Sequence, residues 1–349
     1  MKLYITYADA PSLSVVANHV AKVARRDGHQ VLMRTHPDLA DLRAFKPDGI
    51  LYIYPVNPPM AGRYAGFYST QSLYLPDSRQ LWYGTTEGTP YGEPARYPMW
   101  YRIRFVANSM FTASKLQEVG YNVVDVVYHG YDPDELKEAL DYAPVLRKKI
   151  EADFPRRVYF AVVEGAHARK GWSQLLDALT RLPPEVRQAI AVFAVAPQKI
   201  ADEIAKRDLS DVIKITGEFG KLTRRNVLGL MAAVDYVIVP SMAEGFGLPL
   251  LEANALGKLA IHCWYQPLSE FSNRDGNIVF HYDEVKEIVD SGVEFELHVY
   301  DVQYLADAIA SAVEIYRSGD YDKRAALVRE SVKDMDIYTL YRRLLSHFA

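Results

Sequence analysis

Two glutamates and two glycines in one short segment are the residues of this sequence best suited to chemistry. An apolar predicted strand leads to Glu244, then to Gly245 and Gly247, and a helix is predicted to begin near Pro249 with Glu252 in its first turns. The first amides of a helix lack intrahelical partners and carry partial positive charge, which favours phosphate. Carboxylates cannot hold phosphate, so the glutamates suit hydroxyl groups on either side of it. The pattern therefore fits a nucleotide sugar, although two isolated glutamates at a helix start are also typical of a cap and a solvated face.

The complete string around these residues is more specific than the pair. It resembles the donor-site signature of the retaining, GT-B-fold glycosyltransferases of family 4, the glycosyl transferases group 1, in which two glutamates flank a Gly-Phe-Gly-Leu-Pro segment. The resemblance implies that Glu244 contacts the transferred sugar and that Glu252 holds the ribose hydroxyls. It also implies that the loop amides and the helix end face the diphosphate, and in this sequence these are Gly245, Phe246, Gly247 and Leu248.

A pair of cations follows another predicted strand, at 158–163. Arg169 and Lys170 lie between that strand and a predicted helix, and Gly171 permits a tight helix start. In isolation such a pair is usually solvated. At the end of a strand it can neutralise a departing diphosphate, with forked contacts from arginine and a point charge from lysine. We therefore predict that Arg169 and Lys170 are catalytic, together with Glu244.

The same segment departs from the family in one respect. It is similar to the family's motif of Gly-Arg, a short loop and Lys-Gly, but Ala166 follows Gly165. Counting back from Lys170 without gaps places Glu164 at the position of the missing arginine. Either Arg169 replaces that arginine, or the site has lost a cation.

The first half of the chain offers weaker signals. Residues 83–93 follow a predicted strand that faces the presumed cleft, where the family often carries a histidine and this chain has Thr85, Thr86 and Glu87. We predict Glu87 as an acceptor-side carboxylate, and a simple turn residue is the alternative. Asp132-Pro133-Asp134 matches the Asp-x-Asp of metal-dependent GT-A enzymes, but Pro133 suits a first helical turn with Asp132 as its cap. No metal ligands are predicted.

Composition narrows the class of protein. The chain has 349 residues, 49% hydrophobic and 24% charged, with a net charge of −4, which does not suggest a general nucleic-acid binder. The sequence has no apolar run of membrane-spanning length, and its N-terminus lacks a signal-peptide core. The single cysteine, Cys263, lies in a predicted buried strand and fits a reducing compartment, so a cytoplasmic location is expected.

Short apolar runs alternate with amphipathic segments of helical length, which predicts an α/β protein with parallel sheets. Predicted strands in the first half are 3–7, 31–35, 49–54, 81–85, 105–108 and 123–128; in the second half they are 158–163, 191–195, 213–216, 236–240, 259–263 and 278–280. A loop with a short helix is predicted at 54–76, and the pattern restarts after 144–155.

Together with the resemblance, this pattern predicts a GT-B fold: two facing Rossmann-like domains with the active site in the cleft between them. We predict an acceptor-side domain at 1–140, a nucleotide-sugar donor domain at 141–335, and a C-terminal helix at 336–349 that packs back on the first domain.

The resemblance implies a retaining, metal-independent glycosyltransferase that needs no cofactor besides its nucleotide diphosphate sugar. The acceptor is a carbohydrate, a lipid-linked molecule or another compound, and peripheral contact with a membrane is compatible with this class. Two alternatives remain open. One is a degenerate GT-B protein that binds sugar or nucleotide without transfer, and the other is a nucleotide-sugar epimerase on the same fold.

Overall fold

The computed structural model describes residues 1–58, 66–68, 70–72, 75–156 and 158–349. The described strands of the first half are β1 (Lys2–Tyr7), β2 (Gln30–Arg34), β3 (Gly49–Pro55), β4 (Gln80–Thr85), β5 (Gly88–Pro90), β6 (Arg104–Ala107) and β7 (Asn122–Val126). All except β5 form one parallel sheet in the order β2-β1-β3-β4-β6-β7. The helices that connect them are α1 (Pro11–Arg26), α2 (Leu39–Phe45), α3 (Pro98–Arg102) and α4 (Met110–Glu118). The helix predicted within 54–76 lies partly outside the described residues.

The second half repeats this architecture. Its strands are β8 (Val158–Val163), β9 (Ile190–Ala196), β10 (Ile213–Glu218), β11 (Tyr236–Val239), β12 (Leu259–Cys263) and β13 (Ile278–Phe280), in the order β10-β9-β8-β11-β12-β13. After a helix that joins the halves, α5 (Pro133–Asp153), its helices are α6 (Trp172–Arg181), α7 (Pro184–Ala189), α8 (Lys199–Lys206), α9 (Arg224–Ala233), α10 (Leu248–Ala255), α11 (Val302–Ser318) and α12 (Tyr321–Ser331). None of the described helices is long and apolar enough to span a membrane.

The strand order locates the candidate site. β8 and β9 are buried along their whole length, as expected for parallel strands covered by helices on both faces. In the second sheet the chain runs from β8 outwards to β10 and then returns on the other side of β8 with β11. Ligand sites in such sheets lie beyond the carboxyl ends of the two strands where the order reverses. The loops that follow β8 and β11 carry the candidate residues of the second half.

The connection between the halves is a helix. The β/α pattern restarts with β8 after 144–155, as predicted. A proline normally ends or kinks a helix, but α5 runs through Pro144. The expected boundary between residues 140 and 141 therefore falls inside α5. Tyr142 of α5 packs closely on α9 of the second half, since a Cβ at Gly229 would lie 2.8 Å from its ring.

The last helix, α13 (Ile337–Ser346), returns to the first half. Its apolar face joins the cluster formed by β1, β3 and α1, to which it contributes Ile337, Tyr341, Leu344, Leu345 and also Phe348 beyond its end. Arg342 forms an ion pair with Asp27 at 2.8 Å, and Arg343 pairs with Asp125. The C-terminal segment thus packs on the first sheet.

A third sheet links the halves and was not predicted. β14 (Glu284–Asp290) and β15 (Val293–Val299) form an antiparallel hairpin, and β15 also pairs with β5 of the first half. The approach is so close that a Cβ at Gly88 would lie 2.0 Å from the carbonyl oxygen of Glu294. Every residue of β14 is exposed, so this strand lacks the buried apolar face by which strands are recognised in sequence.

Candidate functional site

Loops from both halves meet at the predicted cleft. A Cβ at Gly245 would lie 2.3 Å from Thr85 Oγ1, so the loop after β11 lies directly against the end of β4. Ser109 at the start of α4 donates a hydrogen bond to the carbonyl oxygen of Gly245 at 3.2 Å. The structure therefore brings the glycine-rich loop and the segment that contains Glu87 to the same place.

Lys170 lies between two carboxyl groups of the second half. Its Nζ is 2.5 Å from Glu244 Oε1 and 3.8 Å from Glu164 Oε2. Burial disfavours the charged amine, but the electrostatic effects of Glu244 and Glu164 prevail and raise its pKa. Lys170 is therefore a cation fixed at the carboxyl ends of β8 and β11. It lies between a strand and a helix, as predicted from the sequence.

Glu164 is the residue whose importance the sequence analysis missed. It directly follows β8, is 3% exposed, and accepts a hydrogen bond from Ser241 Oγ at 3.4 Å. Burial raises the pKa of Glu164 to about 8, although Lys170 opposes the change. In the sequence, the feature that distinguishes Glu164 is its position, because it stands where the family motif has its arginine.

Arg169 and Lys170 form ion pairs with different carboxylates. The guanidinium of Arg169 pairs with Glu87 of the first half, and its Cζ lies 5.3 Å from the ring centroid of Phe295 on β15. The two cations that were predicted to act together thus have different partners. Glu87 thus contacts a residue of the second half, and its role towards an acceptor stays a prediction.

The loop before α10 has the form expected for a helix start. Gly247 has a φ of 100° and precedes α10, and within the described residues no acceptor is assigned to the amides of Gly245, Phe246 and Gly247. The side chain of Phe246 is buried and stacks on Phe271 at a centroid distance of 4.9 Å. Its ring therefore contributes to packing, while its amide has no acceptor among the described residues.

Glu252 belongs to a partly buried network of charges. Its Oε1 lies 2.5 Å from Arg224 Nη2, and Arg224 Nε lies 3.2 Å from Glu135 Oε2. His19 of α1 also contacts Glu135 Oε2, at 3.2 Å. Burial disfavours charge on Arg224, but Glu252 and Glu135 outweigh it and raise the pKa of the guanidinium. Because these residues are far apart in sequence, no motif spacing reveals the network.

The Asp-x-Asp string has a structural role. Asp132 caps α5, and its Oδ1 accepts a hydrogen bond from the amide of Asp134 at 3.0 Å. Lys22 lies 2.6 Å from Asp132 and 2.8 Å from Asp134. His19, Asp132 and Glu135 place potential ligand atoms within 4.8 Å of one another, but Lys22 and Arg224 already neutralise these carboxylates. The helix-cap interpretation of Asp132 is confirmed.

Comparison with known proteins agrees with this architecture. A family model for glycosyl transferases group 1 matches residues 146–330. The chain is 29% identical to an uncharacterized glycosyltransferase, 335, of Sulfolobus islandicus rod-shaped virus 1 over 350 residues, which cover 99% of this chain and 100% of the other.

Two of the solved structures that share the fold illustrate the likeness. HepE of Anabaena in complex with UDP-glucose superposes with a TM-score of 0.70, at 16% identity and with coverage of 99% of this chain and 98% of HepE. WaaG, a glycosyltransferase involved in lipopolysaccharide biosynthesis, gives a TM-score of 0.69 at 15% identity, with both chains covered to 100%. At these identities the likeness establishes the GT-B fold. Because the family model matches more than half of the chain, this protein belongs to the glycosyl transferases group 1 and is a glycosyltransferase.

Proposed function

We propose that this enzyme transfers a sugar from a nucleotide diphosphate sugar to an acceptor, with retention of the anomeric configuration and without a metal ion. The observation that carries the proposal is the position of Lys170 at the ends of β8 and β11, beside the loop whose amides precede α10. A fixed cation and free amides together supply the positive charge that a leaving diphosphate needs. Asp132 and Asp134 are engaged by Lys22, which supports a mechanism without metal at that string.

The predicted residues of the second half, apart from Arg169, have separate roles in this proposal. Lys170 and the amides of Gly245 to Leu248 hold the diphosphate, and Glu252 accepts hydrogen bonds from the ribose hydroxyls. Glu244 orients the transferred sugar, for which it must give up part of its contact with Lys170. Support for a nucleotide donor comes from HepE, a protein of the same fold whose structure contains UDP-glucose.

The proposed reaction is a front-face displacement at the anomeric carbon. The bond from this carbon to the diphosphate oxygen breaks, and the acceptor oxygen bonds to the carbon from the same side. The proton of the acceptor hydroxyl passes to the departing diphosphate oxygen. Lys170 stabilises the developing negative charge in a partly dehydrated site, where such contacts are stronger than in water.

A donor screen followed by product analysis tests the proposal. UDP, GDP and ADP sugars are added to the protein in thermal-shift assays, and the stabilising donor is then incubated with sugar and lipid-linked acceptors. We expect a product whose anomeric configuration, read by NMR, matches that of the donor. An inverted product contradicts retention, an epimerised donor favours the epimerase alternative, and binding without turnover favours the degenerate protein.

A further inference from the structure

Glu164 is a buried carboxyl group for which the mechanism above has no use. Its side chain is 4% exposed and lies at the carboxyl end of β8, in contact with the loop after β11. Oε1 accepts from Ser241 Oγ at 3.4 Å, while Oε2 lies 3.8 Å from Lys170 Nζ. The group therefore lies beside the cation to which we assign the diphosphate.

The charges around Glu164 do not balance if it is ionised. Lys170 is the cation in contact with it, and this amine is already bound by Glu244 at 2.5 Å. Glu87 adds a further negative charge from the first half, and its own partner is Arg169 of the second half. The phenol of Tyr265, which is also near Glu164, donates its hydrogen bond to the Ser241 carbonyl oxygen at 2.9 Å rather than to this carboxyl group. A second buried carboxylate would thus lack a cation of its own, which is costly.

We propose that Glu164 carries a proton in the free enzyme and donates it in a hydrogen bond to a phosphate oxygen of the bound nucleotide diphosphate. This inference rests on the proposed function. Since Oε1 accepts from Ser241, the proton resides on Oε2, the oxygen nearer to Lys170. A neutral acid at this position permits the approach of the phosphate charges, whereas a carboxylate would repel them.

The proposal links nucleotide binding to proton uptake. Burial raises the pKa of Glu164 to about 8, so the free enzyme loses this proton in alkaline solution. A bound diphosphate adds negative charge beside Glu164 and raises its pKa further. Around pH 9 the free enzyme is therefore mostly ionised at Glu164 and the complex mostly protonated. Binding at this pH must take up a proton.

The test is isothermal titration calorimetry with UDP, and then GDP and ADP, in buffers of different ionisation enthalpy. For the wild-type enzyme around pH 9 we expect uptake of close to one proton per nucleotide. We also expect affinity to fall about tenfold for each pH unit above the pKa of the free enzyme, because each unit corresponds to about 1.4 kcal/mol. Glu164→Gln keeps a hydrogen-bond donor but cannot titrate, so its uptake should be near zero and its affinity nearly independent of pH.

Glu185→Gln is the matched control, because Glu185 is exposed on α7, away from the site. It should retain the proton uptake of the wild type. Wild-type binding without uptake around pH 9, or unchanged uptake in Glu164→Gln, overturns the role of Glu164 and leaves the proposed function intact. If none of the three nucleotides binds the wild type, the proposed function fails and the inference fails with it. If Glu164→Gln does not fold, the wild-type uptake and pH dependence alone decide.

Discussion

Replacing Arg224 by methionine tests the charge network beneath the proposed ribose contact. The side chain of Glu252 is 6% exposed and that of Arg224 is 29% exposed. Arg224→Met leaves Glu252 and Glu135 without this guanidinium, and removing one partner of a buried pair costs about 3–5 kcal/mol. Because Arg224 is partly exposed, water offsets some of the loss, and we expect the lower end, about 3 kcal/mol. At roughly 2–4 °C per kcal/mol for a domain of this size, the thermal midpoint should fall by about 6–12 °C.

The neighbouring Arg225 supplies the control. It pairs with Glu138 at 3.3 Å, and both side chains are 55% exposed. An exposed pair contributes at most about 1 kcal/mol, so Arg225→Met should lower the midpoint by only a few degrees. Differential scanning calorimetry and circular dichroism measure both variants.

Two further results can refute the reasoning. The double variant Arg224→Met/Glu252→Gln removes the uncompensated charge, so it should be more stable than Arg224→Met alone. A single variant as stable as the wild type, or strictly additive effects in the double variant, contradicts the network.

The remaining predictions concern the donor site. Glu252→Ala should weaken binding of the donor nucleotide by about 1.5–3 kcal/mol, as expected for hydrogen bonds to a charged group, and unchanged affinity in a titration would remove the ribose role. Lys170→Ala should lower turnover about a hundredfold or more, with a smaller effect on donor affinity. If Arg169 replaces the family arginine, Arg169→Ala should do the same, whereas near-wild-type turnover would show that its contact with Glu87 is unrelated to catalysis. Transfer should continue in EDTA, and loss of activity that manganese or magnesium restores would reopen the role of Asp132.

The sequence predicts the two large sheets because their central strands are apolar and buried. The strand at 158–163, for example, has the predicted bounds and is buried throughout. Periodicity cannot identify β14, because all of its residues are exposed. Its partner strand β15 also pairs with β5 of the first half, a long-range contact that local sequence does not reveal. Periodicity also cannot show that α5 continues through Pro144, because packing of this helix on the second half compensates for the proline.

The candidate site was likewise predictable only in part. Lys170 and Glu244 are brought together as their motifs imply, since each follows a strand at the point where the sheet order reverses. The partner of Arg169 was not predictable, because Glu87 reaches it from the other half of the chain. Likewise, motif counting placed Glu164 in the arginine position, but only the structure shows that it shares one lysine with Glu244.

A crystal structure with the nucleotide diphosphate that most raises the thermal midpoint tests the central claim most directly. We expect its phosphates within hydrogen-bonding distance of Lys170 Nζ and of the amides of Gly245 to Leu248, with the ribose hydroxyls at Glu252. Phosphates bound elsewhere, or held by a metal ion at Asp132 and Asp134, would contradict the account.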